Sequence, residues 1–117
     1  MQISIAVESD KGLEAEVSRH FGRCPYYVIL EVEEEKIKQP VKVIANPYAE
    51  SHGRPGQVPS FLKEQEIEVI IAGGMGPRAI EFFHHYGIRV VTGARGKVKE
   101  AVENFLKGQL KNGGACH

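Results

Sequence analysis

The chain has 117 residues, 15 basic and 15 acidic, and a formal net charge of zero. That length suits one ordinary domain with its own core, and 42% hydrophobic against 26% charged residues excludes a disordered chain. Balanced charge gives no electrostatic basis for binding nucleic acid or an anionic membrane surface, and no apolar run nears the ~18 residues that a bilayer crossing needs.

The start, Met1 through Val7 followed by Glu8 and Asp10, lacks a basic n-region and reads as a first strand over residues 3–8, not as a secretion signal. Residues 9–24 are polar and irregular and read as a long loop. Tyr26 to Val32 forms a second strand, Glu33-Glu34-Glu35 a solvated hairpin tip, and residues 36–44 a third strand. Pro40 has no N–H for a ladder, which puts this third strand at a sheet edge. Residues 45–57 form a Gly/Pro/His loop. A helix follows, with Pro59 in its first turn and Val58, Phe61 and Leu62 on its apolar face through about Gln65. Val69 to Ala72 is a buried fourth strand. Pro77 opens a second helix carrying Ala79, Ile80 and Phe83, which Gly87 closes. Ile88 to Val91 is the fifth strand. Val98, Ala101, Val102, Phe105 and Leu106 form the apolar stripe of a last helix that Gly108 stops. One domain over residues 1–108 is expected, with residues 109–117 as a flexible polar tail.

Short connections make the first three strands a meander, and the two strand–helix–strand units are right-handed parallel crossovers. The compact solution is an α/β fold with a five-stranded mixed sheet in the order 3-2-1-4-5. Strand 2 is antiparallel to the others and helices cover both faces. This is the ribonuclease-H-like three-layer architecture, and its strand order reverses between strands 1 and 4, where open α/β sheets bind ligands.

This topology gathers the loops 9–25, 45–57, 73–77 and 92–97 at one end of the sheet. They carry His20, Cys24 and His52, together with Arg19, Arg23, Arg54, Arg78 and Arg95, five of the six arginines in the chain. Guanidinium groups present planar donors suited to oxyanions; arginines in loops also simply confer solubility. Gly73-Gly74-Met75-Gly76-Pro77 joins a buried strand to a helix start. It either admits an anion to the backbone and helix N-terminus or is a tight turn. His20 and Cys24, four residues apart, are borderline-to-soft ligands for iron, copper, zinc or a sulfide cluster, although a closed zinc site wants four. The alternative is a surface histidine and a small apolar packing residue. His84 and His85 are explained by their helix. Cys116 and His117 end a tail whose nine residues reach up to ~30 Å when extended.

The sequence speaks against several chemistries. The chain has neither a Gly-x-Gly-x-x-Gly nor a phosphate-loop motif, and no Gly-x-Ser-x-Gly elbow. Strand 1 offers no carboxylate cluster for two-metal hydrolysis. Cys24 with His20 lacks an identifiable third group for nucleophilic catalysis. Two cysteines make no disulfide framework, so free thiols in a reducing cytoplasm are expected. Asp10 is the only aspartate beside fourteen glutamates, and Asn and Gln are scarce, which leans toward a thermophilic source.

Four segments in this order, His20-Phe21-Gly22-Arg23-Cys24-Pro25-Tyr26-Tyr27, Asn46-Pro47 with His52-Gly53, Gly73-Gly74-Met75-Gly76-Pro77 and Thr92-Gly93-Ala94, resemble the dinitrogenase iron-molybdenum cofactor-binding family of NifX/NifB type. The likeness spans about residues 1–110. It implies a ribonuclease-H-like fold that binds or carries a metal–sulfur cluster: the iron-molybdenum cofactor or its precursor in nitrogen fixers, iron–sulfur or molybdenum–copper–sulfide clusters in other relatives. Cluster donor and acceptor proteins are then the expected partners, and no catalysis by the chain itself is implied. The family's cluster-contacting histidine falls on His20, whereas Cys24 stands where many relatives have a small non-ligating residue. The expected site therefore has His20, Cys24 and His52 toward metal. Around them stand Arg19, Phe21, Gly22, Arg23, Gly53, Arg54, Gly73, Gly74, Met75, Gly76, Arg78 and Arg95. Two rival readings remain: a binder, sensor or enzyme for a small phosphorylated or carboxylated metabolite, and a protein-docking module.

Overall fold

A computed structural model describes residues 1–49 and 56–108. The strands are β1 (Gln2–Val7), β2 (Tyr26–Glu33), β3 (Lys36–Ala45), β4 (Val69–Ile71) and β5 (Arg89–Val91). The helices are α1 (Gln57–Lys63), α2 (Pro77–His85) and α3 (Val98–Leu106). The sheet runs β3-β2-β1-β4-β5. β2 is antiparallel to β1 and β3, while β1, β4 and β5 are parallel. This is the expected α/β topology, strand for strand.

Alternation along the strands divides the core in two, because successive side chains leave a strand on opposite faces. Ile3, Ile5 and Val7 of β1 join Val28, Leu30, Val69, Ile71 and Val91 under α3, whose Val98, Ala101, Val102 and Phe105 are buried there. Ala6, Tyr27, Ile29, Ile70 and Val90 face the other way, onto Leu62 of α1 and Ile80 and Phe83 of α2. Full burial of each large side chain contributes about 1.5–3 kcal/mol.

β3 is an edge strand, as Pro40 predicts. Its pairing with β2 shifts between Ile29↔Lys42 and Glu31↔Lys38, so three residues centred on Pro40 stand opposite Leu30 alone. The proline thus sits at an irregularity, where a missing N–H costs no ladder bond. Exposed Lys36, Lys38 and Lys42 line the same strand.

The structure departs from expectation in residues 9–24, which are far from featureless. They contain two 3₁₀ turns, Gly12–Glu14 and Phe21–Arg23. Ala15, Val17, Phe21 and Cys24 are buried. Val17 bridges Val7, and Glu16 bridges Lys97. The Glu14 carboxylate accepts from Lys97 Nζ at 2.7 Å, which holds its pKa below the usual glutamate value. Scattered single apolar residues carry no period, so neither turn leaves a signal in a periodicity reading.

Candidate functional site

Where β1 and β4 end, the chain turns away on opposite sides of the sheet, and a cleft of about 460 Å³ opens there. Arg19, His20, Phe21, Gly22 and Arg23 form one wall, Gly74, Met75, Gly76, Arg78 and Ala79 another, and Gly56, Val58 and Pro59 a third. Its volume falls in the range of ordinary ligand sites. It lies at the predicted switch point.

Phe21 anchors the first wall. Its ring is buried, 5.2 Å from Phe83 edge-on and 5.7 Å from Tyr27. Its N–H donates to Gly74 O at 3.3 Å, which ties the first wall to the second. The Phe21 carbonyl accepts from Tyr27 Oη at 2.7 Å and from Cys24 Sγ at 3.2 Å. His20, at the N-cap of this turn, has an extended backbone (φ −124°, ψ 100°) and an exposed side chain. Its N–H donates to the hydroxyl of buried Ser18 at 3.2 Å.

The second wall depends on Gly73. Its N–H donates to Ser18 O at 2.8 Å, and a Cβ there would stand 2.9 Å from both Ser18 O and Arg19 Cα. Only a glycine lets β4's exit and the 18–20 segment approach so closely. Gly73 therefore shapes the cleft from behind and does not line it, contrary to the ligand-contacting place expected of it. Gly76 caps α2 with open space around its Cβ position, and Pro77 follows as its first residue.

Cys24 also differs from expectation. It is 1% exposed, packs with Phe21, Tyr27 and Phe83, and does not line the cleft. Burial pushes its thiol up to about 11, and the same desolvation raises the Tyr27 phenol. A thiolate ligand is disfavoured there at neutral pH, and the apolar-packing alternative describes the residue. Arg95 follows Ala94, whose N–H bonds Ala72 O at the same end of the sheet, but its side chain is not among the cleft's walls. His52, Gly53 and Arg54 lie outside the described residues, as do Cys116 and His117.

Three arginines and one histidine thus meet in a cleft otherwise walled by Phe21, Val58, Pro59, Met75 and Ala79. Arg19, Arg23 and Arg78 are exposed, and among the described residues none is paired with a carboxylate. Nor is there a group of three His, Cys, Asp or Glu side chains among the described residues that could hold a metal ion. The donor set therefore does not fit a bare cation; it fits an anion that brings most of its own ligands. Gly56, Val58, Pro59 and Ala79 are additions to the expected list. Their signal was available: β3 ends at this end of the sheet, so α1 must begin near it.

The architecture and the cleft define an α/β domain with an arginine-lined cleft at one end of its sheet. The dinitrogenase iron-molybdenum cofactor family matches residues 1–108, and the chain belongs to that family. It is similar to PH0822, known from a crystal structure (36% identity, TM-score 0.82, covering 97% of this chain and 96% of that one). It is also similar to a NifB-like protein of Thermotoga solved by NMR (30% identity, TM-score 0.78, 95% and 91% covered). A third relative is the orange protein of Desulfovibrio gigas in its apo form (25% identity, TM-score 0.84, 97% and 93% covered). No helix among the described residues is long and apolar enough to cross a membrane.

Proposed function

We propose that this chain binds an anionic metal–sulfur cluster in the cleft, either iron-molybdenum cofactor-like or iron–sulfur, and carries it between a donor and an acceptor protein. Family membership supports a role connected with that cofactor. The observation that carries the reading is the meeting around apolar walls of His20 with three arginines that no carboxylate among the described residues pairs. A sulfide-bridged cluster has weakly hydrated faces, which suit Phe21, Val58 and Met75. Its net negative charge suits the guanidinium fork donors, which act more strongly where the walls exclude water.

In this reading His20 supplies an imidazole contact to metal, and His52 is the candidate for another. Arg19, Arg23 and Arg78 neutralise charge. Cys24 supports the turn and is not a ligand. One or two protein ligands hold such a cargo loosely enough to pass on, which a four-cysteine cage would not. The chain then needs no catalytic group of its own. We also read the fold as ribonuclease-H-like and residues 1–108 as one cluster-binding domain, acting in the cytoplasm of a thermophile. One observation favours a second reading, a small phosphorylated or carboxylated metabolite: α2 begins at Gly76–Pro77 on the cleft wall, where helix N–H groups favour anions.

The test is metal and sulfide analysis with a visible spectrum on protein purified without oxygen, followed by reconstitution with iron and sulfide. A coloured protein with near-stoichiometric metal and sulfide supports the carrier; a colourless chain that takes up nothing on reconstitution sinks it. His20→Ala should lower cluster affinity about tenfold or more, roughly 1.4 kcal/mol, at unchanged thermal stability. Equal affinity removes His20 from the account.

A further inference from the structure

The turn carrying His20 and Arg23 has an unusual distribution of hydrogen bonds. His20 O accepts from Ser18 Oγ at 3.3 Å and from Arg23 N–H at 3.3 Å. Phe21 O accepts from the Tyr27 hydroxyl and the Cys24 thiol. Gly22 O and Cys24 O both accept from one group, Asn46 Nδ2, at 3.2 and 2.9 Å. Four of the five carbonyls from His20 to Cys24 are therefore occupied by donors of the protein itself. A donor on a carbonyl oxygen offsets part of the negative end of its dipole, which weakens its repulsion of a nearby anion. What the turn presents there is cationic, Arg23 and the neighbouring Arg19, with His20.

Asn46 does more of this than any other residue. It is 6% exposed, one of three polar side chains buried in the described core. Both ends of its amide are used, since Oδ1 accepts from Tyr48 N–H at 2.9 Å. Its own N–H donates to Pro25 O at 2.9 Å. A buried amide with this many partners is expensive to disturb.

We propose that Asn46 is the positioning residue that makes the cleft selective for anions, by fixing the 20–24 turn through its amide bonds to the Gly22 and Cys24 carbonyls and offsetting their negative dipole ends beside the cleft. Asn46 touches no ligand and acts only through the turn. The inference rests on the anion-binding reading of the cleft but not on a cluster as the anion, since any compact dianion meets the same field.

The test uses sulfate, a dianion at every pH concerned, titrated into the full-length protein and followed by the amide shifts of Gly22, Arg23 and Gly74. Asn46→Asp keeps the shape of the side chain but replaces both donors with acceptors facing two carbonyls. At pH 7 it should bind sulfate at least tenfold more weakly than the wild type. At pH 4 the aspartic acid regains an O–H donor, so the ratio of the two affinities should shrink toward one. The ratio of variant to wild type is the readout because every other group of the cleft is common to both proteins, and the neighbouring Cys24 and Tyr27, both raised by burial, stay protonated throughout. Asn46→Ala removes the donors without adding an acceptor, and should show a smaller deficit that does not change with pH. An ionised aspartate also repels sulfate through its own charge, so the uncharged Asn46→Ala variant carries the discrimination: wild-type sulfate affinity in it overturns the proposal.

Wild-type affinity in folded Asn46→Asp at pH 7 overturns the proposal, and so does a deficit that pH 4 leaves untouched. If Asn46→Asp fails to fold, Asn46→Ala decides: it frees the Gly22 and Cys24 carbonyls from their amide donor and should weaken sulfate binding severalfold, and unchanged affinity overturns the proposal. A wild type whose turn does not respond to sulfate also overturns it. Sulfate binding without cluster uptake leaves the proposal standing and removes the cluster as cargo.

Discussion

Gly73→Ala isolates the contact that joins the two main walls of the cleft. The added methyl carbon would lie 2.9 Å from Ser18 O, 2.9 Å from Arg19 Cα and 3.3 Å from Ala94 O. All three are backbone atoms, so no side chain can swing aside. Overpacking of this kind costs about 1–3 kcal/mol. Replacing glycine also reduces the freedom of the unfolded chain, which offsets about 0.4–1 kcal/mol. The net loss is about 1–2 kcal/mol, and for a chain of this size that lowers the thermal midpoint by roughly 5–15 °C. Gly76→Ala is the control: nothing lies within 4 Å of its Cβ position. That variant loses only the glycine preference at a helix N-cap, about 1 kcal/mol or less. Thermal unfolding by circular dichroism reads both. In Gly73→Ala the amide shifts of Ser18 to Phe21 should also move, because the segment must back away from β4. An alanine variant as stable as the wild type, with unmoved shifts, would refute the close-approach account and return Gly73 to the role of an ordinary turn residue.

Stability should fall between about pH 9 and 11. The folded Cys24 thiol is raised from 9.0 to about 11, so over that interval the unfolded chain releases a proton that the native one keeps, a loss of about 2–3 kcal/mol by pH 11. Cys24→Ala should flatten this slope in denaturant titrations at pH 8 and 10.5, and an identical slope would refute the assignment. The β2–β3 hairpin has Glu34 and Glu35 at φ 52° and 63°, where Asn-Gly is the favoured pair. The double change Glu34→Asn, Glu35→Gly should raise the denaturant midpoint by an amount worth about 1–2 kcal/mol without altering ligand binding at the far end of the sheet. Ser4, 0% exposed in β1, has a hydroxyl with no hydrogen-bond partner among the described residues. Ser4→Ala should therefore be neutral or stabilising by about 1 kcal/mol, and a clear loss would mean the hydroxyl has an ordered water.

The order of the strands was legible because each had its own signal. β4 was a short, continuous apolar run; β5 was the short, mostly apolar stretch after Gly87; β3 carried Pro40; Pro77 and Gly87 bracketed α2. Short meander connections and the handedness rule then left one compact arrangement. From that arrangement the place of the cleft followed, and with it Arg19, His20, Arg23 and Arg78. Which way a side chain turns within a loop was not legible. Cys24 directs its thiol back to the Phe21 carbonyl within a short turn that carries no periodicity, and Gly73 serves a backbone contact with Ser18 and Arg19, far away in sequence. Asn46 was visible as part of an Asn-Pro pair, but its two carbonyl partners lie 22 and 24 residues away and no local pattern encodes them. Val58 read as core because apolar periodicity cannot separate a wall of the interior from a wall of a cleft.

The cleft draws its walls from residues 19–23, 56–59 and 74–79, three stretches that have no reason to be near one another in the unfolded chain. Any ligand held by all three is bound by the native state alone. Occupancy is then a contribution to global stability, growing as the logarithm of ligand concentration and reaching about 2.7 kcal/mol at a hundredfold excess over Kd. The loaded protein resists heat and proteolysis more than the empty one, so a cell that degrades unfolded chains would retain this protein in proportion to the ligand available to fill it.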